Sequence, residues 1–229
     1  YTQFGHCMAV YSVPALARAI LDGLQYATGD LQADDRPLRE ADDDSAVTPR
    51  VDGFAAVDPE RFDRIVPADA EIEVIGDGMQ FTEGPVWIGG EDGHLIFSDI
   101  PASELKVWKE GGEVETYRRP SNQANGNAVE AQGRLITCEH ETRRVTITET
   151  DGTVRVLVDR YEGKRLNSPN DVVVKSDGTV WFTDPPYACK PEDREVGGNY
   201  VYRYDPETDE LRIVADDFKL PNGLCFSPD

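Results

Sequence analysis

Four polar residues recur along this chain at nearly even intervals, each at the head of an apolar run. They are Glu83, Asn125, Asn170 and Asn222, spaced 42, 45 and 52 residues apart. One carboxylate with several amide carbonyls is a set of hard oxygen donors, suited to calcium rather than to zinc or copper. To act together they must converge in space. A second reading needs no ion, because Asn-Gly and Asn-Asp also supply turn geometry ahead of a strand. Spacing alone leaves both open.

A repeat is what can bring them together. The stretch FTEGPVWIGGEDGHLIFSDI, residues 81–100, reads as two antiparallel strands around a glycine-rich turn. NGNAVEAQGRLITCEH, NDVVVKSDGTVWFTDP and NGLCFSPD open in the same way. The first repeat continues through Glu104–Trp108 and Val114–Tyr117. The second runs Asn125–Glu130, Arg134–His140, Arg143–Glu149 and Thr153–Asp159. The third runs Asp171–Lys175, Thr179–Thr183, Tyr200–Tyr204 and Glu210–Val214, with a longer insertion from Asp184 to Gly198. Four short strands in about 45 residues make one blade of a β-propeller. In such a fold the first strand of each blade lines a central channel, so the four openers share it. Trp87, Phe97, Trp181 and Phe182 are then expected between blades. The expected class is all-β, with three complete blades and the first strand of a fourth. A ring generally needs at least about four blades, with six common, so the chain reads as the N-terminal part of a longer protein.

Ahead of the repeats, residues 1–53 look different. Pro14 can open a helix with Leu16, Ile20 and Leu24 near one face, and the acid-rich segment Asp30–Asp52 reads as a poorly ordered linker. The propeller part is expected over 54–229, approached by a DPERF helical turn and a strand at Glu71–Ile75, EIEVI.

The net charge of −21 disfavours nucleic acid and anionic membranes as partners, and it suits either a protein of high-salt surroundings or an acidic mesophilic one. The cysteines Cys7, Cys138, Cys189 and Cys225 form no C-x-x-C pair, which points to reduced thiols. No apolar run reaches the roughly 18 residues of a membrane helix, and no basic leader with a cleavage site is evident. The expected compartment is the cytoplasm. No G-x-S-x-G, Walker loop or dinucleotide fingerprint is found.

The motifs EGPVW (83–87), RLNSPNDVVVKSDGTVWFTDPPY (165–187) and LPNGLCFSPD (220–229) resemble the gluconolactonase/regucalcin family. That family includes senescence-marker and luciferin-regenerating-enzyme-like proteins and consists of calcium-dependent six-bladed propellers. NGNAVEAQGRLITCEHETRRV (125–145) resembles the second blade of its bacterial branch. The resemblance implies a divalent ion, Ca2+ or another such as Zn2+, Mn2+ or Mg2+, held by Glu83, Asn170 and Asn222. It implies a further aspartate ligand, also the acid/base, from a later blade, and nothing up to Asp229 matches it. The implied reaction is hydrolysis of a sugar lactone, with the ion polarising the carbonyl and the aspartate handling the proton of water. Lacking that aspartate, the 229-residue chain is expected to bind metal weakly and to catalyse poorly. The alternatives are a phosphotriesterase resembling diisopropyl-fluorophosphatase, a non-catalytic calcium-binding or scaffold propeller, and a fragment without function of its own.

Asn125, Arg165 and Asn167 are candidate substrate contacts, Asn125 at an opener and the other two in the loop before Asn170. His140, in CEH, reads either as a substrate contact or as a structural histidine. Asp171 reads as an anchor of strand geometry, and Tyr187 belongs to an insertion that can form a lid.

Overall fold

A computed structural model of the chain describes residues 49–51, 54–55, 74–89 and 93–226. The expected N-terminal helix, the acidic linker and the DPERF turn lie outside these residues. Two short strands, β1 (Pro49–Val51) and β2 (Phe54–Ala55), pair antiparallel and belong to a separate compact unit of the chain. Val74 and Ile75, the described part of EIEVI, are in no strand, because they have no ladder partner. Alternation marked them as strand-like, but a strand exists only where its backbone groups find a neighbour.

The unit that carries the candidate residues spans 75–226. Among the described residues it holds no α-helix, only a 3-10 turn at Pro191–Asp193. Its first sheet is β3 (Thr82–Ile88), β4 (His94–Asp99), β5 (Glu104–Trp108) and β6 (Glu115–Arg118). Its second is β7 (Ala124–Val129), β8 (Leu135–Glu139), β9 (Arg144–Thr148) and β10 (Val154–Val158). A two-stranded ribbon, β11 (Arg160–Tyr161) and β12 (Lys164–Arg165), leads to the third sheet. That sheet is β13 (Val172–Val174), β14 (Val180–Asp184), β15 (Tyr200–Asp205) and β16 (Glu210–Ala215). Each four-stranded sheet is an antiparallel meander in chain order, as the repeat requires. Residues 221–226 form no ladder, so the opening strand expected at Asn222 is not a strand here. They still run beside the third sheet, where Asn222 O accepts from Thr183 Oγ1 at 2.8 Å and Leu224 N–H donates to Asp171 Oδ2 at 3.1 Å.

Alternation sends one face of each sheet toward the next. Ile96, Leu105 and half-buried Val86 and Val107 of the first sheet meet Ala124, Leu135 and Val129 of the second. Ile136, Cys138, Val145 and Ile147 of the second meet Val172, Val180, Phe182 and Tyr202 of the third. Trp87 departs from expectation, being 52% exposed. Its neighbour Val86 faces the second sheet, so the period of two turns the indole to the opposite face.

Candidate functional site

The inner strand β7 packs between β3 and β13, so the openers Glu83, Asn125 and Asn170 lie side by side. In the first two sheets the opener sits at a bulge. Thr82 and Glu83 pair with Asp99 and Ser98, and the ladder then resumes at Val86–Ile96 with one extra residue on β3. The second sheet repeats this between Ala124–Glu139 and Asn127–Thr137. Such an insertion bends the strand and re-aims the side chains beside it.

Glycine after the opener serves close approach. A Cβ on Gly84 would lie 2.1 Å from Asn125 O, and one on Gly126 would lie 2.6 Å from Asn170 O. Gly126 N–H donates to that same Asn170 O at 2.7 Å. In the third sheet the position is Asp171, whose carboxylate accepts from Val172 N–H and from Leu224 N–H.

A second repeated device was legible but unread: SD, CE and TD, ending the second strand of each sheet. Ser98 Oγ donates to Asn125 O at 2.6 Å, and Thr183 Oγ1 donates to Asn222 O at 2.8 Å, so each hydroxyl holds the next opener's carbonyl. The carboxylates that follow are Asp99, Glu139 and Asp184, all buried. Each grips the residue three places before its own opener. Asp99 accepts from Gln80 N–H at 3.1 Å, Asp184 from Asn167 N–H at 2.8 Å, and Glu139 from Asn122 Nδ2 at 3.0 Å. Glutamate is one methylene longer, so Glu139 passes the backbone and reaches a side chain and Arg144 Nε, at 2.7 Å.

The candidate metal ligands fit a cation by donor chemistry. Asn170 is 2% exposed, and its amide makes no hydrogen bond among the described residues. Glu83 is half-buried and close enough to Asp171 for its charge to be felt there. Burial, with Glu83 adding to it, pushes Asp171 up to about 6. Asn222 turns its Nδ2 to the Tyr187 hydroxyl at 3.5 Å, tying the insertion to the opener. Among the described residues no group of three His, Cys, Asp or Glu side chains is placed to hold a metal. A cation here would therefore rest on Glu83 and amide oxygens.

The substrate candidates divide. Asn125 is buried at the opener line, 3.1 Å from His140 Nε2. Asn167 is fully buried, donating to Asp184 O and Gly198 O at 3.0 Å and accepting from Arg194 Nε at 3.3 Å. Arg165 Nη2 donates to Thr142 O at 3.1 Å. In this structure both tie loops together, alongside Arg143, whose Nε donates to Leu166 O at 2.6 Å.

Beneath the insertion, Asp184 has one buried oxygen, Oδ1, without a hydrogen bond, and burial pushes the group up to about 7. The folded state therefore holds this proton more tightly than the unfolded chain, whose value is 3.8. Its stabilising contribution is full below that lower value and is lost as pH rises through about 7. Asp184→Asn keeps an acceptor for Asn167 N–H and does not titrate. Urea midpoints at mildly acidic and mildly alkaline pH are expected to fall less in the variant than in the parent. An equal fall would show that Asp184 does not carry the slope.

Three four-stranded antiparallel meanders, with their inner strands side by side, define an all-β protein of propeller-like fold. The chain belongs to the SMP-30/gluconolactonase/LRE-like family, whose profile matches residues 81–229. It is 36% identical over 189 residues to a gluconolactonase of Zymomonas mobilis, covering 74% of this chain and 52% of that one. A structural-genomics target solved as a candidate gluconolactonase superposes with a TM-score of 0.67 at 38% identity, covering 73% of this chain and 59% of that one. A gluconolactonase of Xanthomonas campestris gives a TM-score of 0.56 at 42% identity, covering 59% and 47%. The chain thus spans about half the length of these relatives.

Proposed function

We propose that this chain carries part of a divalent-metal site for hydrolysing sugar lactones, on a six-bladed propeller plan. The observation that carries the reading is Asn170, whose buried side-chain amide makes no hydrogen bond among the described residues, beside the carboxyls of Glu83 and Asp171. An amide oxygen without a hydrogen-bond donor among the described residues, next to two carboxyls, suits a hard cation better than a turn. Family membership and the gluconolactonase relatives support the substrate class. Glu83, Asn170 and Asn222 would hold the ion, and Ca2+ is the cation their oxygens fit best. When bound, such an ion supplies Lewis-acid polarisation of the lactone carbonyl.

The residues of this chain have the positioning work. Ser98 and Thr183 hold the opener carbonyls in place, and Asp99 and Asp184 fix the turns before them. Tyr187, 44% exposed, reaches Asn222 from the insertion, where it can limit water at the mouth.

The test is calorimetric Ca2+ titration of the chain together with turnover of glucono-1,5-lactone and of a phosphotriester. With three matched donors, weak Ca2+ binding and slow lactone turnover are expected, and Glu83→Gln removes both. Phosphotriester turnover without lactone turnover moves the assignment to a phosphotriesterase. Ca2+ binding that Glu83→Gln leaves unchanged sinks the site.

A further inference from the structure

His140 follows β8, is 5% exposed, and has no part in the hydrolysis just described. Its Nε2 lies 3.1 Å from Asn125 Nδ2. Contact between two nitrogens has one productive arrangement: the amide N–H donates, Nε2 accepts, and the imidazole proton sits on Nδ1. Donation through Nδ2 decides which way the amide faces. Asn125 Oδ1 is turned from the ring, and among the described residues it accepts no hydrogen bond. The backbone carbonyl is held separately, by Ser98 Oγ at 2.6 Å and Asn127 Nδ2 at 3.0 Å. The side-chain oxygen is therefore the acceptor left to a ligand.

The chain bears strain at this place. Asn122 and Gln123 both take left-handed backbone, with φ of 57° and 53°. Among the described residues, no such pair precedes Glu83 or Asn170. Left-handed non-glycine residues persist where the surroundings over-determine them, and they cluster at functional sites. Here the His140 turn supplies much of the hold. His140 N–H donates to Gln123 O at 3.2 Å, and Glu141 N–H donates to Asn122 O at 3.1 Å. Gln123 N–H donates to Ser103 Oγ at 3.2 Å. One turn thus fixes both the approach of Asn125 and the orientation of its amide.

We propose that Asn125 and His140 form a hydroxyl-recognising subsite, in which His140 is a positioning residue and Asn125 Oδ1 accepts a hydrogen bond from a ring hydroxyl of a cyclic polyol. The subsite deepens the sugar-lactone reading and rests on it for the class of ligand. Asn125 suits that role because Gly126 beside it bonds Asn170 O, which sets the subsite next to the cation donors. A neutral acceptor on one side of an amide gives it direction without adding charge beside a cation site.

The experiment uses the full chain labelled with 15N and the probe 1,5-anhydro-D-glucitol, a ring polyol without a lactone carbonyl, so that binding needs no turnover. His140 is expected with Nε2 unprotonated, and the Asn125 side-chain amide signals are expected to move on addition of the polyol. His140→Leu weakens polyol binding about fivefold to tenfold, the loss of one oriented hydrogen bond. His140→Gln, which can place an amide oxygen where Nε2 stood, restores most of it. A protonated Nε2 in the parent chain reverses the pair and overturns the proposal, even if His140→Leu fails to fold. So does a parent chain that binds no polyol, or a folded His140→Leu that binds it as well as the parent. Lactone turnover without polyol binding sinks the subsite alone. Polyol binding with the Asn125 response but without lactone turnover sinks the lactonase reading and leaves the subsite.

Discussion

Gly84→Ala is expected to cost the 75–226 unit most or all of its stability, with Gly126→Ala close behind. An added Cβ at position 84 would stand 2.1 Å from Asn125 O and 2.7 Å from Gly126 Cα, where no rotamer can relieve the overlap. Gly84 also has φ of +55°, which adds the ordinary penalty for a side chain in left-handed backbone. At position 126 the new methyl would meet Asn170 O, Asp171 Cα and Asp171 Oδ1, each at 2.6 Å. Both overlaps are with the backbone of the next sheet's opener, so relief requires the inner strands to separate. That would expose the inter-sheet core and break the Gly126 N–H bond to Asn170 O. A loss of at least about 4 kcal/mol is expected for Gly84→Ala, against the roughly 5–15 kcal/mol that holds ordinary domains. Gly178→Ala is the control. It has φ of +85° but nothing within 4 Å of the built Cβ, so only strain of about 1 kcal/mol applies. Urea midpoints and soluble yields rank the three. A Gly84→Ala as stable as Gly178→Ala would mean that the inner strands do not approach so closely.

Glu139→Leu is the second large effect, expected to cost about 3 kcal/mol. The side chain is fully buried and gathers Arg144 Nε at 2.7 Å, Thr142 Oγ1 at 2.5 Å, Asn122 Nδ2 at 3.0 Å and Thr146 Oγ1 at 3.3 Å. Arg118 Nη2 approaches to 3.7 Å and has no hydrogen bond of its own. Burial pulls the Arg118 guanidinium below its ordinary value, and the charge of Glu139 opposes this. Leucine would fill much of the space while leaving two guanidiniums and a threonine cluster without their common acceptor. The arginine side chains keep 17% and 28% exposure, so water recovers part of the loss and the estimate sits low in the range for broken buried pairs. Glu139→Gln keeps one acceptor and should cost about half as much. Thermal or urea unfolding reads both. A Glu139→Leu within about 0.5 kcal/mol of the parent, the usual spread of neutral surface changes, would demote the cluster to decoration.

Much of the architecture was legible because a blade is a local object. Hairpin turns such as Asp151-Gly152 and Ser176-Asp177-Gly178, with period-two alternation between them, gave the meander, and the observed sheets follow it within a few residues. The openers were legible for the same reason, since equal spacing of Glu83, Asn125 and Asn170 means equal place in successive blades. What failed locally was the end of EIEVI, where Val74 and Ile75 are strand-like in pattern but have no ladder to join. Trp87 failed because alternation says that two faces differ without saying which of them meets a neighbour.

The sequence by itself therefore determined the repeat, the all-β class and the set of oxygen donors, since each depends on residue type and on distances along the chain. Tertiary structure decided what depends on distances across and between blades. It decided that Gly84 and Gly126 serve close approach, and that Asp99, Glu139 and Asp184 grip the turns three residues ahead of the openers. It decided that Asn167 is bound into the insertion, and that His140 faces Asn125. Those partners are 15 to 44 residues apart, from His140 and Asn125 to Gly126 and Asn170, and no local propensity carries information over such a separation. Only the pairing of strands within each sheet and the packing of one sheet on the next do.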